Sequence, residues 1–129
     1  MTWSDAFVLF AVSHVAGDFL LQTEWQAVHK HGGLGRDPVA RRALFAHVAT
    51  YTLAFAPALA WLAVENGARV IGAALVISVP HLIQDDGRLL RAYVERVKRS
   101  PDASELLQLT VDQSFHAVGL LAAALAAAA

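Results

Sequence analysis

Apolar residues run in four long stretches along this chain, near residues 4–22, 43–63, 69–86 and 105–128, separated by segments rich in glycine, proline and charge. Each approaches the roughly 20 mostly apolar residues that carry a helix across about 30 Å of hydrocarbon. The second, LFAHVATYTLAFAPALAWLAV, is apolar around almost its whole circumference, which lipid tolerates better than water. The first and third contain ionisable residues and are marginal by the same criterion. A soluble four-helix bundle with unusually apolar helices is the competing architecture. The pattern predicts an all-α, four-helix transmembrane bundle that forms a single domain over residues 1–129.

The segments between the stretches predict how the bundle is oriented. HKHGGLGRDPVARR, between the first two, is a loop by its glycines and proline. GRLLRAYVERVKRSPD, between the third and fourth, places Leu89, Leu90, Tyr93, Val94 and Val97 at helical spacing among five basic residues. This suits an amphipathic helix lying on an anionic membrane surface. Ser100 followed by Pro101 reads as the start signal of the last helix. These two loops hold every Lys and Arg except Arg69, so the positive-inside rule puts both in the cytoplasm and both termini outside.

Composition supports this picture. Hydrophobic residues make up 57% of the chain and the mean hydropathy is +0.47, more apolar surface than a small soluble domain can cover with a polar shell. A net charge of −1 gives no basic footprint, and no nucleic-acid partner is expected. Cysteine is absent, which excludes disulfides, thiolate metal sites and cysteine nucleophiles. The start, MTWSDAFVLF, lacks the positive charge of a secretory signal, so the first apolar stretch is expected to be retained. The alanine-rich end reads as helix.

Candidate chemistry lies inside the apolar stretches. His14 and Asp18, His81 and Asp85, and Asp112 and His116 are each separated by one helical turn, so each pair shares a helix face. The second stretch adds His47. With the orientation set by Lys and Arg alone, all seven fall in the cytoplasmic half of the bilayer, where a single site can gather them. An unpaired ionised group in hydrocarbon costs several kcal/mol, so three such pairs point to a metal or proton site. Imidazole and carboxylate donors suit zinc, and also manganese or iron. Gln22, Glu24 and Gln113 are candidate partners of the ligands. Asp86, His29 and His31 read as solvated or loop residues. Gly17 permits close helix approach, and Pro80 bends the helix just before His81.

The motifs of zinc peptidases, of serine nucleophile elbows, of ferritin-like di-iron centres and of phosphate loops are all missing. What is present, HVAGDFLLQTEW, the lone His47, HLIQDD and DQSFH, resembles a family of small bacterial membrane proteins classed as a domain of unknown function. That pattern is similar to metal-dependent hydrolases of the bacterial inner membrane. The ligand spacing alone also resembles the all-helical zinc-dependent phospholipase C and P1 nuclease group. The resemblance implies metal ligands at His14, Asp18, His47, His81, Asp85, Asp112 and His116, and a multi-pass protein of the bacterial inner membrane.

Together these readings lead to the expectation of a metal-dependent hydrolase acting on a lipid-linked phosphoester at the cytoplasmic leaflet. One or two divalent ions, most simply zinc, would be held by the seven ligands. Asp85 or Asp112 would be the general base. Arg41, Arg42 and Arg88 would hold a phosphate head group. The expected partners are membrane lipid or a lipid-linked substrate, with self-association into a homo-oligomer left open. The alternatives are a proton or divalent-cation transport protein and a non-catalytic, metal-stabilised membrane assembly protein.

Overall fold

A computed structural model describes residues 2–67 and 69–128. Among these residues the chain forms seven α-helices and no strand. α1 (Trp3–Val15) runs into a π-helical turn (Ala16–Leu20), followed by α2 (Glu24–His29), α3 (Pro38–Ala54), α4 (Ala56–Asn66), α5 (Arg69–Asp85), α6 (Arg88–Arg96) and α7 (Glu105–Ala128). α7 packs on both α1 and α5, while the α3–α4 pair packs on α5 and on α1 with its π turn. Four helical columns therefore surround one core.

Local chemistry explains most of the element ends. Thr2 caps α1 and Thr23 caps α2, each in a reciprocal box with the residue three positions on, Asp5 and Gln26. Asp37 caps α3 with Pro38 in the first turn. The predicted start of the last helix at Ser100 is corrected. Residues 101–104 form a turn and then coil, and α7 begins at Glu105, where the Ser104 hydroxyl accepts from the Leu107 amide at 3.2 Å. The basic segment forms the amphipathic helix α6 as expected. α2 was not anticipated.

The second apolar stretch is two helices rather than one, because Pro57 lacks the amide and carries the ring that break a helix one turn earlier. The bend at Phe55 is 49°. Of the described helices, α7 is long and apolar enough to cross a membrane, and α3 with α4 meets that standard only as the bent pair. α1 and α5, at 13 and 17 residues, reach about 20 and 26 Å against about 30 Å of hydrocarbon. The fold thus differs from four straight spans.

Phe10, Tyr51, Phe55, Leu62, Ile77 and Leu120 fill the core, and Ala6, Ala58, Ala73, Ala123 and Ala124 let the columns approach closely around them. The outside of the bundle is also apolar. Val8, Val12 and Val15 of α1, Val64 of α4, Ile71 and Leu75 of α5, and Val118 and Leu125 of α7 are all more than half, or half, exposed.

The π turn brings Gly17 against Tyr51. A methyl group on Gly17 would lie 2.7 Å from the Tyr51 ring and 3.3 Å from its Cα, whereas one on Gly119 of α7 meets nothing within 4 Å. Gly17→Ala is expected to destabilise by about 1–3 kcal/mol. Gly119→Ala is expected to stabilise by up to about 1 kcal/mol, because it removes glycine's helix penalty without a clash. Denaturant unfolding in detergent checks both signs, and a neutral Gly17→Ala would contradict this packing.

Candidate metal centre

Four columns deliver polar side chains to one level of the core. Asp18 comes from the π turn, His47 from α3, His81 and Asp85 from α5, and Asp112 and His116 from α7. One donor atom from each of Asp18, His47, His81 and Asp85 lies within 4.8 Å of all the others, and all four residues are buried. His47 Nε2 is 2.7 Å from Asp85 Oδ2 and 3.3 Å from Asp18 Oδ1. His81 Nε2 is 3.4 Å and 3.6 Å from the same two oxygens, and the two Nε2 atoms are 3.1 Å apart. Asp85, Asp112 and His116 form a second group of the same kind that shares Asp85.

Tautomers can be assigned from the hydrogen bonds. His116 Nδ1 lies 2.9 Å from the Asp112 carbonyl oxygen, which only accepts, so Nδ1 carries the proton. In the neutral ring His116 Nε2 is then bare and accepts from His81 Nδ1 at 2.9 Å. That leaves His81 Nε2 as a lone pair directed at two carboxylate oxygens. Asp18 Oδ1, also buried there, accepts no hydrogen bond among the described residues. His47 Nε2, 3.1 Å from His81 Nε2, can offer one proton to this group of acceptors, and a metal ion between them would satisfy them all.

The donor spacing fits such a cation. Ligand bonds of about 2.0–2.1 Å in a tetrahedron place the donors about 3.3–3.4 Å apart. The five separations given above, from 2.7 to 3.6 Å, bracket that value. Asp18, His47, His81 and Asp85 can therefore hold a divalent ion, with the Asp112 carbonyl and His116 orienting His81 from behind.

The seven candidates thus gather in one region but take different places. His14 stands outside the four. Gln113 Nε2 donates to Asp112 Oδ2 at 3.3 Å, which turns its carbonyl oxygen toward His14, where Nε2–H donates at 2.8 Å. His14 Nδ1 then accepts from the Tyr51 hydroxyl at 3.1 Å, and its ring stacks on His116. Tyr51 in turn lies flat on the His81 ring, with centroids 3.4 Å apart and planes 5° off parallel. Tyr51 escaped the sequence reading, although it follows His47 by one helical turn.

Lys30 was also missed. Its ammonium donates to Asp85 Oδ2 and to Gln22 Oε1, both at 2.7 Å. A basic residue between two loop histidines gave no sign of reaching a buried carboxylate. Gln22 and Gln113 do contact this network, whereas Glu24 is exposed at the start of α2. A cavity of about 280 Å³ adjoins the site, lined by Lys30, Asp85, Asp112, Gln22, Glu105 and Gln108 with apolar neighbours.

The arginines expected to hold phosphate have other partners. Arg41 donates to the Gly35 carbonyl, Arg42 lies over the Trp25 ring, and Arg88 pairs with Asp86 at 3.1 Å. None of them is among the residues that line the cavity. Asp86 is not a solvated neighbour of Asp85 but a buried clasp. Its carboxylate accepts from the Leu34 amide at 2.7 Å and its carbonyl from the Gly32 amide at 2.8 Å, which ties the first loop to the end of α5.

Fold and site together define an all-helical bundle around a buried histidine–aspartate cluster that can hold a metal ion. A family model described as "Protein of unknown function (DUF3307)" matches residues 6–129, and the chain belongs to that family. No curated protein and no solved structure matches it.

If His81 binds an ion and His116 only orients it, their substitutions should differ in degree. His81→Ala is expected to abolish stoichiometric zinc, and His116→Ala to weaken zinc by about 10–100-fold. Chelator competition measures both, and equal losses would place His116 among the ligands. Zinc affinity should fall as pH falls, because the ion displaces protons from its imidazole and carboxylate donors.

Proposed function

We propose that this protein is a membrane-embedded, metal-dependent hydrolase of phosphoesters, working at the cytoplasmic leaflet. The observation that carries the reading is the set of four buried donors, Asp18, His47, His81 and Asp85, five of whose six separations span the edge length of a metal tetrahedron. Zinc is the ion their chemistry favours. A divalent ion in such a place makes water more acidic and offsets charge on phosphoryl oxygens.

The chain's own groups supply the rest. Asp112 is the only one of the three pair aspartates left partly open, its side chain 21% exposed, and it lines the cavity beside Asp85. It can take a proton from water entering by that route, which makes it the general base. Asp85 instead serves the ion and Lys30. Tyr51, His14 and Gln113 hold the imidazoles and the base in register from behind.

Membrane placement is supported by the outer surface. A soluble monomer rarely exposes so many large apolar side chains on adjoining helices. Trp3 and Trp61 stand exposed near one end of the columns and Trp25 near the other, as interfacial tryptophans do. The cavity is lined in part by Lys30 of the first loop and Leu90 of α6 in the third, so it opens toward the basic end. A substrate drawn from the cytoplasmic leaflet meets the site there.

Elemental analysis of detergent-purified protein, followed by a panel of phospholipids and phosphate esters, tests the proposal. Stoichiometric zinc and turnover are expected. Asp112→Asn should retain zinc while losing about 10²–10⁴-fold in kcat. Protein without metal, together with no loss of stability in His81→Ala, would sink the reading. Zinc that raises the melting temperature without any turnover would make the centre structural.

A further inference from the structure

The cavity beside the four donors has walls of opposite character. Lys30 is the one Lys or Arg among its lining residues, beside the imidazole of His31; Asp85, Glu105 and Asp112 are acidic, and Ala27, Leu90 and Leu109 are apolar. An ammonium has three N–H donors, and two of those on Lys30 are engaged, by Gln22 Oε1 and Asp85 Oδ2. The third finds no acceptor among the described residues and is available to a ligand in the cavity that Lys30 lines. Its position is tied to the candidate metal centre through one atom, since Asp85 Oδ2 is 2.7 Å from Lys30 Nζ and 2.7 Å from His47 Nε2. A ligand oxygen that reaches the ion from the cavity therefore comes within reach of the ammonium.

We propose that Lys30 is the anion-contacting residue of this site and that the ligand it takes is a monoanionic phosphodiester. This rests on the metal-dependent reading above and names its substrate class. An anionic oxygen is suited by the free N–H, a charge-assisted donor on a side chain that is only 12% exposed. One negative charge rather than two is set by the walls. A phosphomonoester dianion would bring its second charge toward Glu105 and Asp112, in a partly desolvated space where like charges are costly. The apolar wall suits the esterified carbons that a diester carries on both sides. Lys30 reaches the site because α2 and the Asp86 clasp hold the first loop against α5, not because it belongs to a column.

The test loads the full chain in detergent with manganese and follows phosphorus nuclear relaxation of dimethyl phosphate and of methyl phosphate, which reports binding near the ion without any turnover. The parent is expected to bind dimethyl phosphate in preference to methyl phosphate. Lys30→Met, which keeps the unbranched stem and removes the ammonium, should retain stoichiometric manganese and bind dimethyl phosphate about tenfold more weakly or worse. Lys30→Arg should restore most of that binding. Undiminished dimethyl phosphate binding by manganese-loaded Lys30→Met would overturn the role of Lys30 alone. Loss of manganese from a folded Lys30→Met would also overturn it, by showing that the ammonium merely supports Asp85. Tighter binding of methyl phosphate would overturn the diester assignment, and a parent that takes up neither manganese nor zinc would remove the metal reading and this proposal together.

Discussion

Asp18 and Asp85 point carboxylate oxygens at the same two imidazole nitrogens inside a helical bundle, where both carboxylates are buried and little water separates their charges. Such an arrangement is unstable without compensation. The compensation comes from several elements at once. His47 approaches both carboxylates from α3, Lys30 reaches Asp85 from the loop, and His116 holds His81 so that its lone pair faces inward. A divalent ion at the centre of those donors is the remaining counter-charge that the geometry accommodates.

Holding these groups at one level constrains the backbone around them. The π turn after α1 carries both Gly17 and Asp18. Gly17 lets Tyr51 approach the α1 column, and Tyr51 supports the His81 ring from one face. A π turn widens the helix by one residue and is frequent at functional sites. At the other end of α5, Gly87 adopts a left-handed conformation with φ of 79°, and a side chain there would strike the His31 ring. Together with the Asp86 clasp, this seats the first loop over the cavity.

Much of the outline was legible in the sequence. The last apolar stretch, 105–128, coincides with α7, and α6 forms where the amphipathic spacing placed it. The i,i+4 pairs identified His81–Asp85 and Asp112–His116, because helical periodicity is a property of sequence spacing alone. The break at Phe55 was signalled by Pro57 but hidden by the continuous apolar composition around it. Lys30 and Asp86 were not legible, since both act across more than fifty residues of chain on partners in another element. Tyr51 was missed because an aromatic residue in an apolar stretch reads as packing, and its contact with His81 is packing and positioning at once.

By itself the sequence determined an all-helical chain, the apolar stretches, the basic loops and the set of residues with donor atoms. These follow from periodicity, propensity and charge, which act locally. Only the tertiary structure decided which donors converge and which stand behind them. Seven candidates became four that face one point, two that orient or adjoin them, and one, His14, held between Tyr51 and Gln113. The same holds for Lys30, which reaches the buried Asp85, and for Arg88 and Arg42, which pair with Asp86 and lie over Trp25. The reason is physical: coordination and hydrogen bonding change over fractions of an ångström and depend on direction, and neither quantity is encoded in spacing along the chain.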